Sequence, residues 1–551
     1  MNAAHLGSLL LIGLLWWICA GCSGSNSSRG KPNIILIMAD DMGYSDIACY
    51  GGDIETPALD ALAEGGVRFT QFYNGARCCP TRASLITGLY PHQAGIGHMT
   101  SPSSDFNQHD YRVPGYRGKL SEQTHTLAEV LKTAGYRTLM AGKWHLGMEN
   151  RQQWPLQRGF DRFYGILDGA SNYFRPVHPR GITLDNDTIS IDDPDYYTTD
   201  AFTDSAIQFI RREQQTDPSK PFFLYLAYTA PHWPLQAPKE NIDKYRNRYL
   251  DGWDKLRQEK YQRMVDMGLL DAESTLSPPD IFSWDSLTAT QKEELALRRA
   301  IYAAQIDRMD QNIGNLVDYL KDNGLFDNTV ILFLSDNGAC AEGGNLGAGD
   351  KEELETKVGY FLSYGQGWAN TSNTPFREYK HWVHEGGIST PLIVHWPAGI
   401  ERSLRGKLIH QYGFLPDVMA TFLDLTGATY GAERGGEPVP AVVGKSMLPL
   451  LRGKDQSIHE KPIFWEHEGN KAVRMGPYKA VMKWELDKEK QRWELYDISK
   501  DRTELNDLSQ DEPEKLAELI AAWDEWAVSH QVKPWEQMRD SILVNRANRI
   551  K

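Results

Sequence analysis

Five stretches of the chain are continuous apolar runs, without the alternation of a half-exposed strand. They are NIILIMADD (33–41), YRTLMAGKWHLG (136–147), PFFLYLAYTAPH (221–232), TVILFLSDNG (329–338) and TPLIVHWP (390–397). Unbroken runs of this length suit strands covered on both faces, as in a parallel sheet. Between them the spacing changes to the helical period. TLAEVLKTAGY sets Thr126 and Glu129 at capping-box spacing and closes at Gly135. Residues 295–324 carry Leu297, Ile301, Ile306, Met309, Ile313, Leu316, Val317 and Leu320 along a helical stripe that Gly324 ends. Strands alternating with helices predict an α/β fold, a large and mostly parallel sheet sandwiched by helices.

Four of these runs stop at side chains that carry chemistry: Asp40 and Asp41, Lys143 and His145, His232, and Asp336 and Asn337. In open α/β sheets the ligand crevice lies outside the carboxyl ends of the strands. The shared ending predicts that these residues, remote in sequence, converge on one crevice. A further stretch, NGARCCPTRASLITG (74–88), fits the same place. Pro80 suits the first turn of a helix that runs to Gly88, which sets Cys78 at the helix N-terminus. That end has free N–H groups and partial positive charge, and it attracts anions. Arg82, one turn in, brings a planar fork that matches an oxyanion at two points.

At 551 residues the chain exceeds what one core usually serves. Its net charge of −14 is spread without a basic block, which excludes nucleic acid as a partner. The first segment, LGSLLLIGLLWWICAGCSGSNSS, is an apolar run too short to span a bilayer comfortably. It reads as a signal peptide over 1–22, of the lipoprotein type, followed by a flexible tether over 23–31. Its CAGC ending resembles a bacterial lipobox with Cys22 as the lipidated residue. Cys19 stands where a larger aliphatic residue is usual, and no Lys or Arg precedes the apolar core. The expectation is export to the periplasm or outer membrane, with a membrane anchor through a lipid on Cys22. Outside the leader four cysteines remain, Cys49, Cys78, Cys79 and Cys340, too few for a disulfide framework. A bridge from Cys79 to Cys49 or Cys340 stays open at this point.

CCPTRASLITG matches the C-x-P-x-R signature of sulfatases with its following L-x-T-G, and GKWHLG resembles their second signature. ADDMGYSD, SDNG and YKHWVHEGG resemble the blocks that supply metal ligands and a substrate lysine. Taken together, the chain from about Lys31 onward resembles the type I sulfatases of the alkaline-phosphatase superfamily, above all their arylsulfatase branch. The resemblance implies an alkaline-phosphatase-like catalytic domain over 32–455. It also implies a smaller C-terminal α+β subdomain over 456–551, with an antiparallel sheet and a helix. WELYDISKDRTELNDLS is similar to that terminal domain, AVRMGPYKAVMKW and RWELYDI read as its strands, and DEPEKLAELIAAWDEWAVSH as its helix.

The resemblance also implies the chemistry. Cys78 would be oxidised by a formylglycine-generating maturation enzyme, and Cys79 fills a variable position. A thiolate attacking sulfur would leave a sulfated thiol with no easy exit. A hydrated aldehyde has two hydroxyls, one to form a covalent sulfate ester and one to expel sulfate as the aldehyde re-forms. Asp40, Asp41, Asp336 and Asn337 would ligate a metal together with the modified Cys78. All-oxygen ligation favours Ca²⁺ or Mg²⁺ over Zn²⁺, and the resemblance favours Ca²⁺ over Mg²⁺. Arg82 and Lys143 would hold the hydrate, His145 would deprotonate its second hydroxyl, and His232 with Lys380 would bind sulfate and protonate the departing alcohol.

The implied substrate is a sulfate monoester, an aryl sulfate or a sulfated glycan. Selectivity should reside in loops 97–118, 340–376 and 466–469, whose aromatics suit sugar or aryl rings. Two other readings share these residues. One is a phosphomonoester or phosphonate hydrolase on the same scaffold, since phosphate and sulfate are near-isosteric. The other is a noncatalytic lipoprotein that binds sulfated glycans.

Overall fold

Residue by residue, strand β1 (Asn33–Asp40) turns Ile35, Ile37 and Ala39 to one apolar cluster and Ile34, Leu36 and Met38 to another, with every one of these side chains buried. Period-two packing into a core on each side is what the unbroken run requires. The computed structural model describes residues 30–454 and 456–539. The leader with Cys22, and the tether through residue 29, lie outside the described residues. Among the described residues no helix is long and apolar enough to cross a membrane.

The other strands of this sheet are β2 (Val67–Tyr73), β3 (Arg137–Lys143), β4 (Arg162–Ile166), β5 (Ile182–Leu184), β6 (Asp187–Ile189), β7 (Phe222–Pro231), β8 (Thr329–Ser335), β9 (Ser389–His395), β10 (Lys407–Ile409) and β11 (Gly413–Phe414). They lie in the order β10-β2-β9-β8-β1-β7-β3-β4-β5-β6, with β11 also pairing β2. The strands β8, β1, β7, β3 and β4 are mutually parallel. β9 runs antiparallel to both its neighbours, β8 and β2, contrary to the parallel reading of its apolar run. Such a run reports burial on two faces, not strand direction. The sheet is therefore mixed, though mostly parallel.

Helices cover both faces. The longest, Ala289–Asp322, starts at a Thr288–Gln291 capping box and buries Ile301, Ile306, Met309 and Ile313. Helix Leu127–Thr133 has the expected Thr126–Glu129 capping box. A second sheet has four antiparallel strands, Ile463–His467, Asn470–Met475, Tyr478–Met482 and Trp493–Asp497. The first of these was not expected from sequence. Helix Pro513–Ser529 covers this sheet with Leu519, Trp523 and Trp526, and the cluster continues into Tyr73, Tyr90 and Phe414 of the main body.

Candidate active site

The strands whose ends carry Asp40–Asp41, Lys143, His232 and Asp336–Asn337 are β1, β3, β7 and β8, and they stand side by side as β8-β1-β7-β3. Their polar ends meet at one edge. Lys143 Nζ donates to Asp40 Oδ2 at 2.7 Å. Arg82 donates to Asp336 Oδ2 from Nε at 3.2 Å and from a terminal nitrogen at 2.7 Å, and that nitrogen lies 3.5 Å from Asp40 Oδ1. Asn337 Nδ2 donates to Asp41 Oδ1 at 2.7 Å, and Lys380 Nζ donates to Asp41 Oδ2 at 2.9 Å. Three buried carboxylates thus face three buried cations.

Lys380 arrives from the other direction. It precedes β9, and because β9 is antiparallel its amino end lies at the edge where the parallel strands finish. Close packing of backbones brings the segment in: Gly338 N–H donates to Gly387 at 3.0 Å, and a Cβ on Gly338 would stand 1.8 Å from the carbonyl oxygen of Gly386. Lys380 N–H then donates to Ala339 at 3.1 Å.

Cys78 opens helix Cys78–Thr87, whose N-cap Arg77 makes no side-chain cap and whose end is set by Gly88 at a φ of 73°. The Cys78 side chain at this uncapped helix start is buried. Ligand-capable atoms of Asp40, Cys78 and Asp336 all lie within 4.8 Å of one another. The Arg82 guanidinium folds onto the carboxylates. Asp41 and His145 have left-handed backbones, with φ of 64° and 55°. For non-glycine residues that conformation is uncommon and clusters at functional sites.

Burial acts against the charged form of every group here, and neighbouring charges decide which groups overcome it. It raises the Cys78 thiol, against Lys143 and Lys380. Burial and the Asp336 charge raise Asp40, against Lys143 and Arg82. Burial opposes ionisation of Asp41, yet Lys380, His232 and Asn337 hold its carboxyl below the usual range. Burial also pushes His232 down to about 3 and His145 well below its ordinary value, so both imidazoles are neutral near pH 7. Burial works against the Lys380 ammonium, but Asp41, Cys340 and Glu342 together outweigh it and raise the group well above its ordinary value.

Two buried oxygens, Asp40 Oδ1 and Asn337 Oδ1, have no hydrogen-bond partner. Orphaned acceptors among three carboxylates fit a hard divalent cation, which would take up both.

A cleft of about 150 Å³ opens above Cys78, with His145, His232 and Lys380 in its wall. Sequence reasoning missed four further lining residues: Arg77, Asp168, Arg180 and Trp233. Arg77 and Glu342 pair at 3.1 Å, Trp233 Nε1 donates to Glu342 at 2.9 Å, and Arg180 lies 3.6 Å from Asp168 and 5.3 Å over the Tyr360 ring. Asp168 follows the end of β4, so the rule that found the other strand-end residues would have found it. Of the loops expected to select substrate, the first contributes Met99, Thr100, Pro102 and His109 to this lining, the second contributes Glu342, and the third, 466–469, is not part of it. Cys49, Cys78, Cys79 and Cys340 are all free and buried, so no bridge joins Cys79 to Cys49 or Cys340. Cys79 instead sets its sulfur 3.3 Å from Nε2 of His145.

The sequence matches the Sulfatase family over residues 32–428 and the family "N-sulphoglucosamine sulphohydrolase, C-terminal" over residues 377–527. An uncharacterized sulfatase of Schizosaccharomyces pombe is 36% identical over 90% of this chain and 93% of its own length. The arylsulfatase of Klebsiella aerogenes is 34% identical over 78% of this chain and 94% of its own. Among solved structures, Ps i-CgsB superposes with a TM-score of 0.66 at 27% identity, over 90% of this chain and 93% of that one. The fold and both family matches agree: this chain belongs to the sulfatase family, and it is a hydrolase of sulfuric esters with an alkaline-phosphatase-like architecture.

Proposed function

We propose that the protein desulfates a glycan, that Cys78 is matured to formylglycine by a separate generating enzyme, and that Asp40, Asp41, Asp336 and Asn337 hold Ca²⁺. The observation that carries this is the meeting of four strand ends around the N-terminus of the helix that begins at Cys78. The orphaned Asp40 Oδ1 and Asn337 Oδ1 favour the cation, and hard oxygen donors favour Ca²⁺. A bound cation would polarise the sulfate oxygens, and the hydrated aldehyde would supply the attacking hydroxyl. The chain's own side chains do the rest. Arg82 and Lys143 fix the orientation of the carboxylates through the bonds given above. His145, neutral and facing the cleft, accepts a proton at a ring nitrogen. His232 donates Nδ1–H to the Trp233 carbonyl at 2.8 Å, which turns Nε2 toward the cleft as an acceptor. Nε2 lies 3.4 Å from Lys380 Nζ, and the ammonium gives its proton to the leaving oxygen.

A glycan is favoured over a simple aryl sulfate by the rim, where Trp233, Tyr360 and Arg180 offer flat faces and charge beside the cleft. It is favoured too by a relative solved with a bound neocarrahexaose, 26% identical with a TM-score of 0.66. The apolar leader that ends in Cys22 supports an exported, lipid-anchored protein at the periplasm or outer membrane, where such glycans are met. The phosphonate monoester hydrolase of Agrobacterium radiobacter shares the fold at 19% identity, so the phosphoester reading is tested alongside. Mass spectrometry of the peptide holding residues 78–82 should find the sulfur of Cys78 replaced by an aldehyde oxygen. Turnover should favour an aryl sulfate over the matched aryl phosphate. A fully active enzyme with an intact Cys78 thiol, or dominant phosphatase turnover, would overturn the reading.

A further inference from the structure

One cluster near the cleft has no part in that chemistry. Glu468 and Gly469 form the turn between strands Ile463–His467 and Asn470–Met475. Glu468 has a φ of 50°, a left-handed conformation in a turn that usually takes Asn, Asp or Gly. Its carboxylate is aimed at three imidazoles. Oε1 lies 3.0 Å from Nδ1 of His98 and 3.5 Å from Nε2 of His467, and Oε2 lies 3.4 Å from Nδ1 of His381. The ligand-capable atoms of His98, His467 and Glu468 all lie within 4.8 Å of one another. His467 is fully buried, and neither of its ring nitrogens has a protein hydrogen-bond partner. Buried polar groups are ordinarily partnered, so an unpaired imidazole aimed at a carboxylate points to a missing ligand.

We infer that His98, His467 and Glu468 form a second metal centre, one that takes a borderline transition-metal ion of the Zn²⁺ class. Two imidazoles and one carboxylate are a donor set for such an ion and not for Ca²⁺, which takes oxygen. The geometry is close to ready. Tetrahedral bonds of about 2.0–2.2 Å place ligand atoms roughly 3.3–3.6 Å apart; the Glu468–His467 separation of 3.5 Å falls in that range and the Glu468–His98 separation of 3.0 Å lies just short of it. His381, against the carboxylate's other oxygen, orients Glu468 from the outer side. The carboxylate at the centre argues against an anion as the ligand, since a sulfate group would meet like charge.

The location gives the centre a consequence. His98 comes from the loop after the nucleophile helix, while His467 and Glu468 come from the C-terminal sheet. The His98 ring stands 4.8 Å from the ring of His109, which lines the cleft. A metal would pin this wall of the cleft to the C-terminal sheet. The inference concerns residues outside the proposed sulfate chemistry and does not depend on it.

The test uses the full chain, stripped with a chelator, reloaded with Ca²⁺ and titrated with Co²⁺. One equivalent of Co²⁺ should give the intense visible bands of a four-coordinate nitrogen–oxygen site, and Zn²⁺ should bleach them. Six-coordinate Co²⁺ in an oxygen-only site absorbs only weakly, so the two centres are told apart. His98→Asn and Glu468→Gln should each weaken Co²⁺ binding by about a hundredfold or more, with thermal melts run to show that they fold. The Glu468 side chain is 20% exposed, so Glu468→Gln remains a fair test if His98→Asn does not fold. Absence of intense bands in the wild type, or unchanged affinity in a folded variant, would overturn the assignment.

Discussion

Lys380→Met separates proton donation from charge balance. Lys380 Nζ lies 2.9 Å from Asp41 Oδ2, 3.4 Å from His232 Nε2 and 3.8 Å from Glu342 Oε1, in the wall of the cleft that also holds Cys78. Asp41 keeps it an ammonium, whereas burial keeps His232 neutral. On the proposed mechanism the proton for a leaving alkoxide comes from Lys380. Losing a positioned general acid costs about 10²–10⁴-fold, or roughly 3–5 kcal/mol of barrier. A second loss is independent of substrate. Asp41 forfeits a charge-assisted hydrogen bond of about 1.5–3 kcal/mol.

The two losses are told apart by the leaving group. A sugar alkoxide needs the proton, while 4-nitrophenolate leaves without one. The assay is kcat/KM for the wild type and Lys380→Met on 4-nitrophenyl sulfate and on a sulfated monosaccharide. The variant should lose a further hundredfold or more on the sugar relative to the aryl ester. Methionine preserves the unbranched stem, and a thermal melt checks the fold. An equal factor on both substrates would refute proton donation and leave Lys380 as no more than the counter-ion of Asp41.

Two further outcomes concern stability. Lys479 is fully buried between Glu385 Oε1 at 2.9 Å and Glu504 Oε1 at 2.8 Å, so Lys479→Met should destabilise the protein by about 3–5 kcal/mol in denaturant titration. A loss under 1 kcal/mol would mean that Arg502, 3.4 Å from Glu385, suffices alone. His395 is pushed down to about 4 by burial first and then by Arg405 and Lys321. Its unfolded value lies near 6.5, so the unfolded chain binds the extra proton. Its effect is absent above pH 6.5 and grows as pH falls toward 4, to about 3 kcal/mol of lost stability. His395→Asn should flatten the fall in wild-type stability between those values, and an unchanged slope would contradict this.

Strand-end chemistry was legible because burial and termination are both local facts. Each run had to be apolar on both faces, and each had to stop where a charged group began. That logic found Asp40, Asp41, Lys143, His145, His232, Asp336 and Asn337, and the family motifs added Cys78, Arg82 and Lys380. What stayed hidden was relational. Nothing in TPLIVHWP distinguishes an antiparallel strand from a parallel one. The contact between Cys79 and His145 joins a helix start to a strand end, and the cluster around Glu468 draws on three segments with no shared motif. Arg77, Trp233 and Glu342 look like loop residues until the chain is folded.

The direction of β9 explains why the C-terminal sheet belongs to the catalytic architecture. A parallel β9 would have sent its preceding segment to the far edge of the sheet and left Asp41 without Lys380. Running backward, β9 holds residues 380–388 at the crevice, but that segment is a short connection with a single helical turn, Glu385–Ile388. Besides its backbone bonds to Ala339 and Gly338, it is supported from beyond residue 463. Glu385 N–H donates to Glu504 Oε2 at 2.9 Å, and the Glu385 side chain takes Lys479, which sits on the central part of the second sheet. Asn470 Nδ2 lies 3.4 Å from His381, the residue next to Lys380. Lys380, the proposed proton donor, is thus positioned in part by an ion pair and close contacts to a sheet that contributes no atom to the carboxylate cluster. Loosening that sheet should lower turnover through Lys380 before it disturbs Asp40, Asp336 or Cys78.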